Sequence, residues 1–223
     1  MITSASNPRL KLIRRLESRR QRAKLGLFVC EGEDLVDAAL AAAIEPVDLL
    51  VAGEDVEAEL LADVATLAHP PRVVGVFRRS DLPTWARRPA TLALWHVADP
   101  GNVGTLIRTA DAFGAAVALS EGCADPLGPR AVRASAGAIF RVPLLDWDAL
   151  PRRRVALAAH GGRPLAEVDL DPPLALLLGS EREGLPEDLA SEQATIALPG
   201  DAESLNVAIA GAIALYELSR RCV

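Results

Sequence analysis

Apolar positions along the chain follow two spacings. In the first third, Leu10, Leu12, Ile13 and Leu16 recur as on one helix face, and the segment carries helix punctuation at both ends. Asn7 suits an N-cap, Pro8 suits the first turn, and Gly26 suits a stop, which predicts one helix between them. Unbroken apolar runs then alternate with helical spacing: strands at 27–30, 47–52 and 72–77, and helices at 33–43 and 54–68. Residues 80–90, with two prolines and three charges, read as a linker. Beyond it, near-continuous apolar runs at 91–97, 116–120, 153–159, 174–179 and 194–199 predict a parallel sheet buried on both faces. The last helix, SLNVAIAGAIALYELSRR, is apolar around most of its circumference and needs cover on nearly every side. That cover is either a subunit interface, with Ala210, Gly211 and Ala212 permitting close approach, or burial within one domain. The pattern divides the chain into residues 1–85, a small α/β unit, and residues 90–223, a larger one.

Composition narrows the class. The chain has 223 residues, half of them hydrophobic but only 4% aromatic, so a globular core is built mainly from Ala, Leu and Val. No run of about 18 apolar residues predicts a membrane span, and the N-terminal residues lack the hydrophobic signature of a secretion signal. Cys30, Cys123 and Cys222 are odd in number and show no CxxC spacing, which fits a reducing cytoplasm. His69, His96 and His160 stand apart from one another, so no metal site is expected.

The net charge of −6 hides an asymmetry. Arg9, Lys11, Arg14, Arg15, Arg19, Arg20, Arg22 and Lys24 are opposed only by Glu17. Such a run is either a solvated helix face or a phosphate-binding surface, and RRQRAK, with no acid inside it, favours the second.

Residues 99–114, DPGNVGTLIRTADAFG, begin as a turn at Pro100–Asn102 and continue as a helix with Leu106, Ile107, Ala110 and Phe113 on one face, stopped by Gly114. Within this helix Arg108 is placed either to bind a phosphate or to project into solvent. Two more loops have a similar glycine and asparagine character: GSEREGLP (179–186) and LPGDAESLNVA (198–208). All three follow predicted strands, at the edge where parallel sheets bind ligands. None is a dinucleotide fingerprint or a GxxxxGK[ST] phosphate loop.

Taken together, in this order, DPGNVGTLIRTADAFG, GCADPLGPRAVRASAGAIFRVP, LLLGSEREGLP and SLNVAIAGAIALYE resemble the SpoU-type (TrmH-like) branch of the SPOUT RNA 2′-O-ribose methyltransferases. The resemblance is strong over 91–221. It is looser over SNPRLKLIRRL and FVCEGEDLV, which look like the family's substrate-binding extension. It implies an α/β fold: a C-terminal parallel-sheet domain with a deep trefoil knot, preceded by a small α/β RNA-binding domain. It also implies a homodimer, S-adenosylmethionine as cofactor, and no metal. For the cofactor it points to Gly179, Leu198 and Leu205, with Glu181, Gly184, Ser204, Asn206 and Ala208 nearby. Arg108 is implied as catalytic, with Asn102 beside it, just before the helix, orienting it or the ribose.

Because guanidinium stays protonated at neutral pH, Arg108 acts either as a clamp on charge growing at the 2′-oxygen or as a base in an unusually dry site. The clamp needs no large shift and is preferred. The RNA-binding set is Arg14, Arg15, Arg19, Arg20 and Arg22, with Arg133 and Ser135 from the middle motif. The N-terminal extension favours 23S ribosomal RNA or its precursor as substrate, with transfer RNA or a catalytically silent RNA-binding role as alternatives. Related sequences often carry an acidic residue where this chain has Trp95, followed by His96.

Overall fold

The computed structural model describes residues 1–66, 69–84, 88–180 and 184–221. The first unit is built on an antiparallel three-stranded sheet of order β1-β3-β2, from β1 (Leu27–Glu31), β2 (Asp48–Val51) and β3 (Val73–Arg78). Around it lie α1 (Pro8–Leu16), α2 (Arg19–Leu25), α3 (Glu33–Ala41) and α4 (Ala58–Ala62). The punctuation behaves as expected at both ends. The Asn7 side chain accepts the Arg9 backbone N–H, and Gly26 closes α2 in the left-handed region at φ +65°.

Two expectations fail in this unit. The single basic helix is broken: Ser18 is extended at φ −82°, ψ 124°, so α1 and α2 meet at an angle. The break leaves the Leu16 and Glu17 carbonyls to accept from the Arg22 guanidinium at 2.7 and 2.8 Å, bonds a continuous helix would have used internally. The helix expected over 54–68 shrinks to α4. Gly53, at φ +80°, turns the chain, and the Asp55 carboxylate accepts the Val51 N–H; Leu67 and Ala68 lie outside the described residues.

The second unit is a seven-stranded sheet of order β6-β5-β4-β9-β7-β10-β8 with every pairing parallel. Its strands are β4 (Ala90–Leu94), β5 (Ala116–Leu119), β6 (Leu144–Leu145), β7 (Arg154–Leu157), β8 (Arg163–Pro164), β9 (Leu174–Leu178) and β10 (Glu192–Thr195). Three helices complete it: α5 (Pro100–Ala112), α6 (Pro129–Ala134) and α7 (Val207–Arg221). The central strands β4 and β9 are buried throughout, as their apolar runs require. Strand β4 stops at Leu94 rather than Val97. The Trp95 N–H still reaches the Leu178 carbonyl, but His96 turns the chain at φ +52°. Of the expected linker, residues 85–87 lie outside the description. Among the described residues no helix is long and apolar enough to cross a membrane.

The two sheets share one apolar seam. Phe28 and Phe77 from the first sheet meet Phe140, on the short turn after α6 in the second unit, with ring centroids 6.1 and 5.5 Å from it and 6.0 Å from each other. All three are almost wholly buried, so three of the chain's four Phe serve this junction. Beside the seam, Arg22 pairs with Asp125 at 2.7 Å, with side chains only 7% and 17% exposed. Removing one partner of such a pair leaves a buried charge uncompensated. Arg22→Ala should therefore cost about 3 kcal/mol in chemical denaturation, whereas exposed Arg20→Ala should stay within about 0.5 kcal/mol.

Candidate active site

Helix α5 positions the two residues expected to act on substrate. Asp99 is its N-cap, accepting the Asn102 backbone N–H at 2.8 Å, and Pro100 occupies the first helical position. Asn102 therefore lies inside the first turn, not ahead of the helix as the sequence suggested. Gly104 is set by packing rather than by a ligand: a Cβ there would come within 2.5 Å of the Ala134 Cβ on α6. On the other flank, a Cβ at Gly211 of α7 would stand 2.5 Å from a Leu106 methyl, so this glycine lets α7 pack directly on α5 within the chain.

The two helix starts are joined by one hydrogen bond. The Asn206 amide donates to the Asn102 side-chain oxygen at 3.0 Å, while its own oxygen accepts the Ala208 N–H at 2.9 Å and so caps α7. Arg108 points away from the buried face of Leu106, Ile107 and Ala110. It is exposed, with no ion-pair or hydrogen-bond partner among the described residues.

A cavity of about 310 Å³ opens beyond the carboxyl ends of β7 and β9 and the loop after β10. Gly179, Gly184, Leu198, Ser204 and Leu205 line it. Asn206 and Ala208 do not: Asn206 is the cap just described, and Ala208 is buried in the core beneath. Glu181 lies outside the described residues. Leu157, Ala158, Ala159 and Ile196 also line the cavity, and the sequence did not single them out. They are ordinary apolar residues at strand ends, with no chemical signature to find. Gly179 is essential to the shape: a Cβ there would lie 2.6 Å from the Gly184 carbonyl, where the loop folds back with the Gly184 N–H on the Ser180 carbonyl at 3.1 Å.

The basic residues divide. Arg20 is exposed, Arg14 donates to the Ala5 carbonyl and Arg15 to the Gln21 side chain. Arg19 reaches across to the Cys123 carbonyl at 3.2 Å. Arg133 bonds Thr66 Oγ1 at 3.3 Å and lies 3.7 Å from the Glu31 carboxylate, spanning the two units. Arg22 and Ser135 are corrected: both are enclosed in the protomer. Arg22 is consumed by Asp125 and two carbonyls, and Ser135 is fully buried with its hydroxyl donating to the Val132 carbonyl at 2.7 Å. Cys30 and Cys123 are also buried; desolvation pushes the Cys30 thiol upward, away from nucleophilic reactivity.

A parallel sheet with an apolar cavity at its carboxyl edge, beside a helix that carries an exposed arginine, matches the structures of SPOUT-class RNA methyltransferases. The model of the SpoU rRNA Methylase family matches residues 89–216, and that of the MRM3-like substrate binding domain matches residues 7–77. The chain belongs to the SpoU rRNA methylase family, whose members are S-adenosylmethionine-dependent. A 23S rRNA (guanosine(2553)-2′-O)-methyltransferase of Bacillus subtilis is 32% identical over 97% of this chain and 98% of its own. The AdoMet-bound rRNA methyltransferase from Sinorhizobium meliloti superposes with a TM-score of 0.88 at 31% identity, covering 100% of this chain and 98% of that one. The AdoMet complex of the SpoU methyltransferase AviRb from Streptomyces viridochromogenes gives 0.84 at 26% identity, over 97% and 98%.

The cavity fits that cofactor. Its leucine and isoleucine walls suit a nucleobase face, and Gly179 and Gly184 present backbone polar groups where side chains would intrude. Gly179→Ala should lower S-adenosylmethionine affinity by roughly tenfold or more, equivalent to about 1.4 kcal/mol. Calorimetric titration measures this, with thermal unfolding as the control for folding.

Proposed function

We propose that this protein methylates a ribose 2′-hydroxyl in 23S ribosomal RNA or its precursor. The observation that carries this reading is the Asn206–Asn102 hydrogen bond, which couples the start of α7, beside the cofactor cavity, to the start of α5, which bears Arg108. The RNA-facing and cofactor-facing elements are thereby fixed relative to each other. When bound in the cavity, S-adenosylmethionine supplies an electrophilic methyl group. Arg108, exposed and unpaired among the described residues, binds the acceptor's phosphate and offers its fork to charge growing on the 2′-oxygen. Its exposure favours this clamp over a base in a dry site. Asn102 holds the acceptor ribose or Arg108 in register.

Residues 1–85 form the RNA-binding domain in this reading and residues 90–223 the catalytic domain. Arg14, Arg15, Arg19, Arg20 and Arg133 are its RNA contacts, and Glu181 is assigned to the cofactor loop. The resemblance to the 2′-O-methyltransferases supports a trefoil knot in the catalytic domain, a cytoplasmic setting and a homodimer. The dimer has support from α7 as well. Ile209 and Tyr216 on its outer face are 52% and 56% exposed, while Val207, Gly211, Ala214 and Leu218 face inward. A second copy is the natural cover for those side chains.

The test is methyl transfer from labelled S-adenosylmethionine to unmodified RNA, separated into 23S, 16S and transfer RNA and mapped for 2′-O-methylation. Label in 23S RNA supports the proposal; label confined to transfer RNA overturns the substrate assignment. Arg108→Ala should retain cofactor binding and lose kcat by roughly 10²–10³. A fully active Arg108→Ala enzyme would remove Arg108 from the mechanism.

A further inference from the structure

A second cavity, of about 610 Å³, lies between the two units at the carboxyl ends of β5 and β6. It is larger than the cofactor cavity and separate from it in lining residues. The first unit contributes Arg19 and Arg79. The Arg79 side chain is exposed and has no partner among the described residues, and Arg19 commits one N–H to Cys123 and keeps its other donors. The second unit contributes Glu121, Asp146 and the half-buried indole of Trp147. Arg22 and Asp125 line it too, but neutralise each other.

The indole is held in place. Trp147 lies 5.5 Å from Trp95 between ring centroids, and Trp95 stacks on His96 at 4.6 Å and 11°. His96 is pinned in turn: its backbone N–H donates to Ser120 Oγ at 3.1 Å, and Gly122 packs so closely that a Cβ would stand 2.9 Å from the imidazole.

No simple ligand satisfies this lining. A bare phosphate would meet Glu121 and Asp146, and an apolar molecule would leave both arginines unpaired. A nucleotide uses all of it: phosphate on the guanidinium groups, base face on the indole, and exocyclic amine hydrogens on the carboxylates. We infer that this interdomain cavity is a subsite for an RNA nucleotide outside the methyl acceptor, selective for a base that carries an exocyclic amine. The subsite rests on the RNA-methyltransferase reading, and deepens it by naming a second point where substrate is recognised. Cytosine meets the requirement; uracil, with a carbonyl at that position, does not.

The test titrates the full-length protein, saturated with S-adenosylhomocysteine to occupy the cofactor cavity, with CMP, UMP and cytidine. CMP should bind roughly tenfold more tightly than UMP. Trp147→Leu should weaken CMP by roughly tenfold, the usual worth of one stacked base, and Trp147→Phe should restore most of it. Arg79→Ala, at an exposed position, should weaken CMP while leaving cytidine unchanged. Equal binding of CMP and UMP, no CMP binding, or indifference to both Trp147→Leu and Arg79→Ala would overturn the subsite. Methyl transfer by the unaltered enzyme separates the two ideas. Transfer without CMP binding removes the subsite alone, and CMP binding without transfer to any RNA removes the functional reading alone.

Discussion

Helix α5 is wedged between α6 and α7 with no space for a methyl group at either contact. Gly104 closes one side and Gly211 of α7 the other. Glycine inside a helix costs about 0.5–1 kcal/mol relative to alanine, and here the two close approaches offset that cost by packing α5 directly on its neighbours. Everything that makes the site depends on this wedge. It sets the depth of α5 against the sheet, places Asn102 within reach of Asn206, and leaves Arg108 exposed on the outward face of the helix. A looser α5 would disconnect the substrate side of the site from the cofactor side without changing any residue in either.

The basic N-terminal run resolves into something between its two readings. It is neither a uniformly solvated face nor a uniform phosphate surface. The break at Ser18 turns α2 so that Arg22 and Arg19 look toward the second sheet, where they bond Asp125 and the Cys123 carbonyl. Arg20 and Lys24 remain exposed. In an acidic chain with few aromatics, the same residues thus fasten the two units and leave a positive rim beside the junction. The Phe28–Phe77–Phe140 seam supplies the apolar part of that fastening, so the N-terminal unit presents its cations from a fixed place.

The sequence revealed the strands that pack on both faces, because burial itself writes the unbroken apolar runs of β4 and β9. It did not reveal where they stop. The end of β4 is decided at His96, whose left-handed backbone is paired with the close approach of Gly122 from a distant loop, while apolar Val97 carries the hydrophobic run past the end of the strand. Two-residue strands such as β6 and β8 are too short to carry a period. Gly179, Leu198 and Leu205 came from resemblance, and the cavity contains them. The cavity's other walls, Leu157 and Ile196 among them, are indistinguishable from core residues until the sheet is assembled. Ser135 and Arg22 misled for the opposite reason: their residue types advertise polar chemistry, and only the tertiary structure shows that partners inside the protomer already use it.

The strand order explains why so much meets at one edge. From β4 the chain steps outward to β5 and then β6, whereas on the other side of β4 the order runs β9, β7, β10 and β8. Sequence order therefore reverses between β4 and β9, and in open parallel sheets such a reversal leaves a crevice beyond the carboxyl ends of the strands. The loop after β4 opens α5, and the loop after β9 carries Gly179 and Gly184; both border that crevice. The cofactor cavity occupies its β7–β10 side and the interdomain cavity its β5–β6 side. Trp95 and His96 stand at the end of β4 between these two sides. The His96 ring stacks on Trp95, and the Trp95 ring contacts Trp147, which lines the interdomain cavity and not the cofactor cavity. A change of residue at this point can alter what the enzyme recognises in RNA while leaving the cofactor cradle as it is.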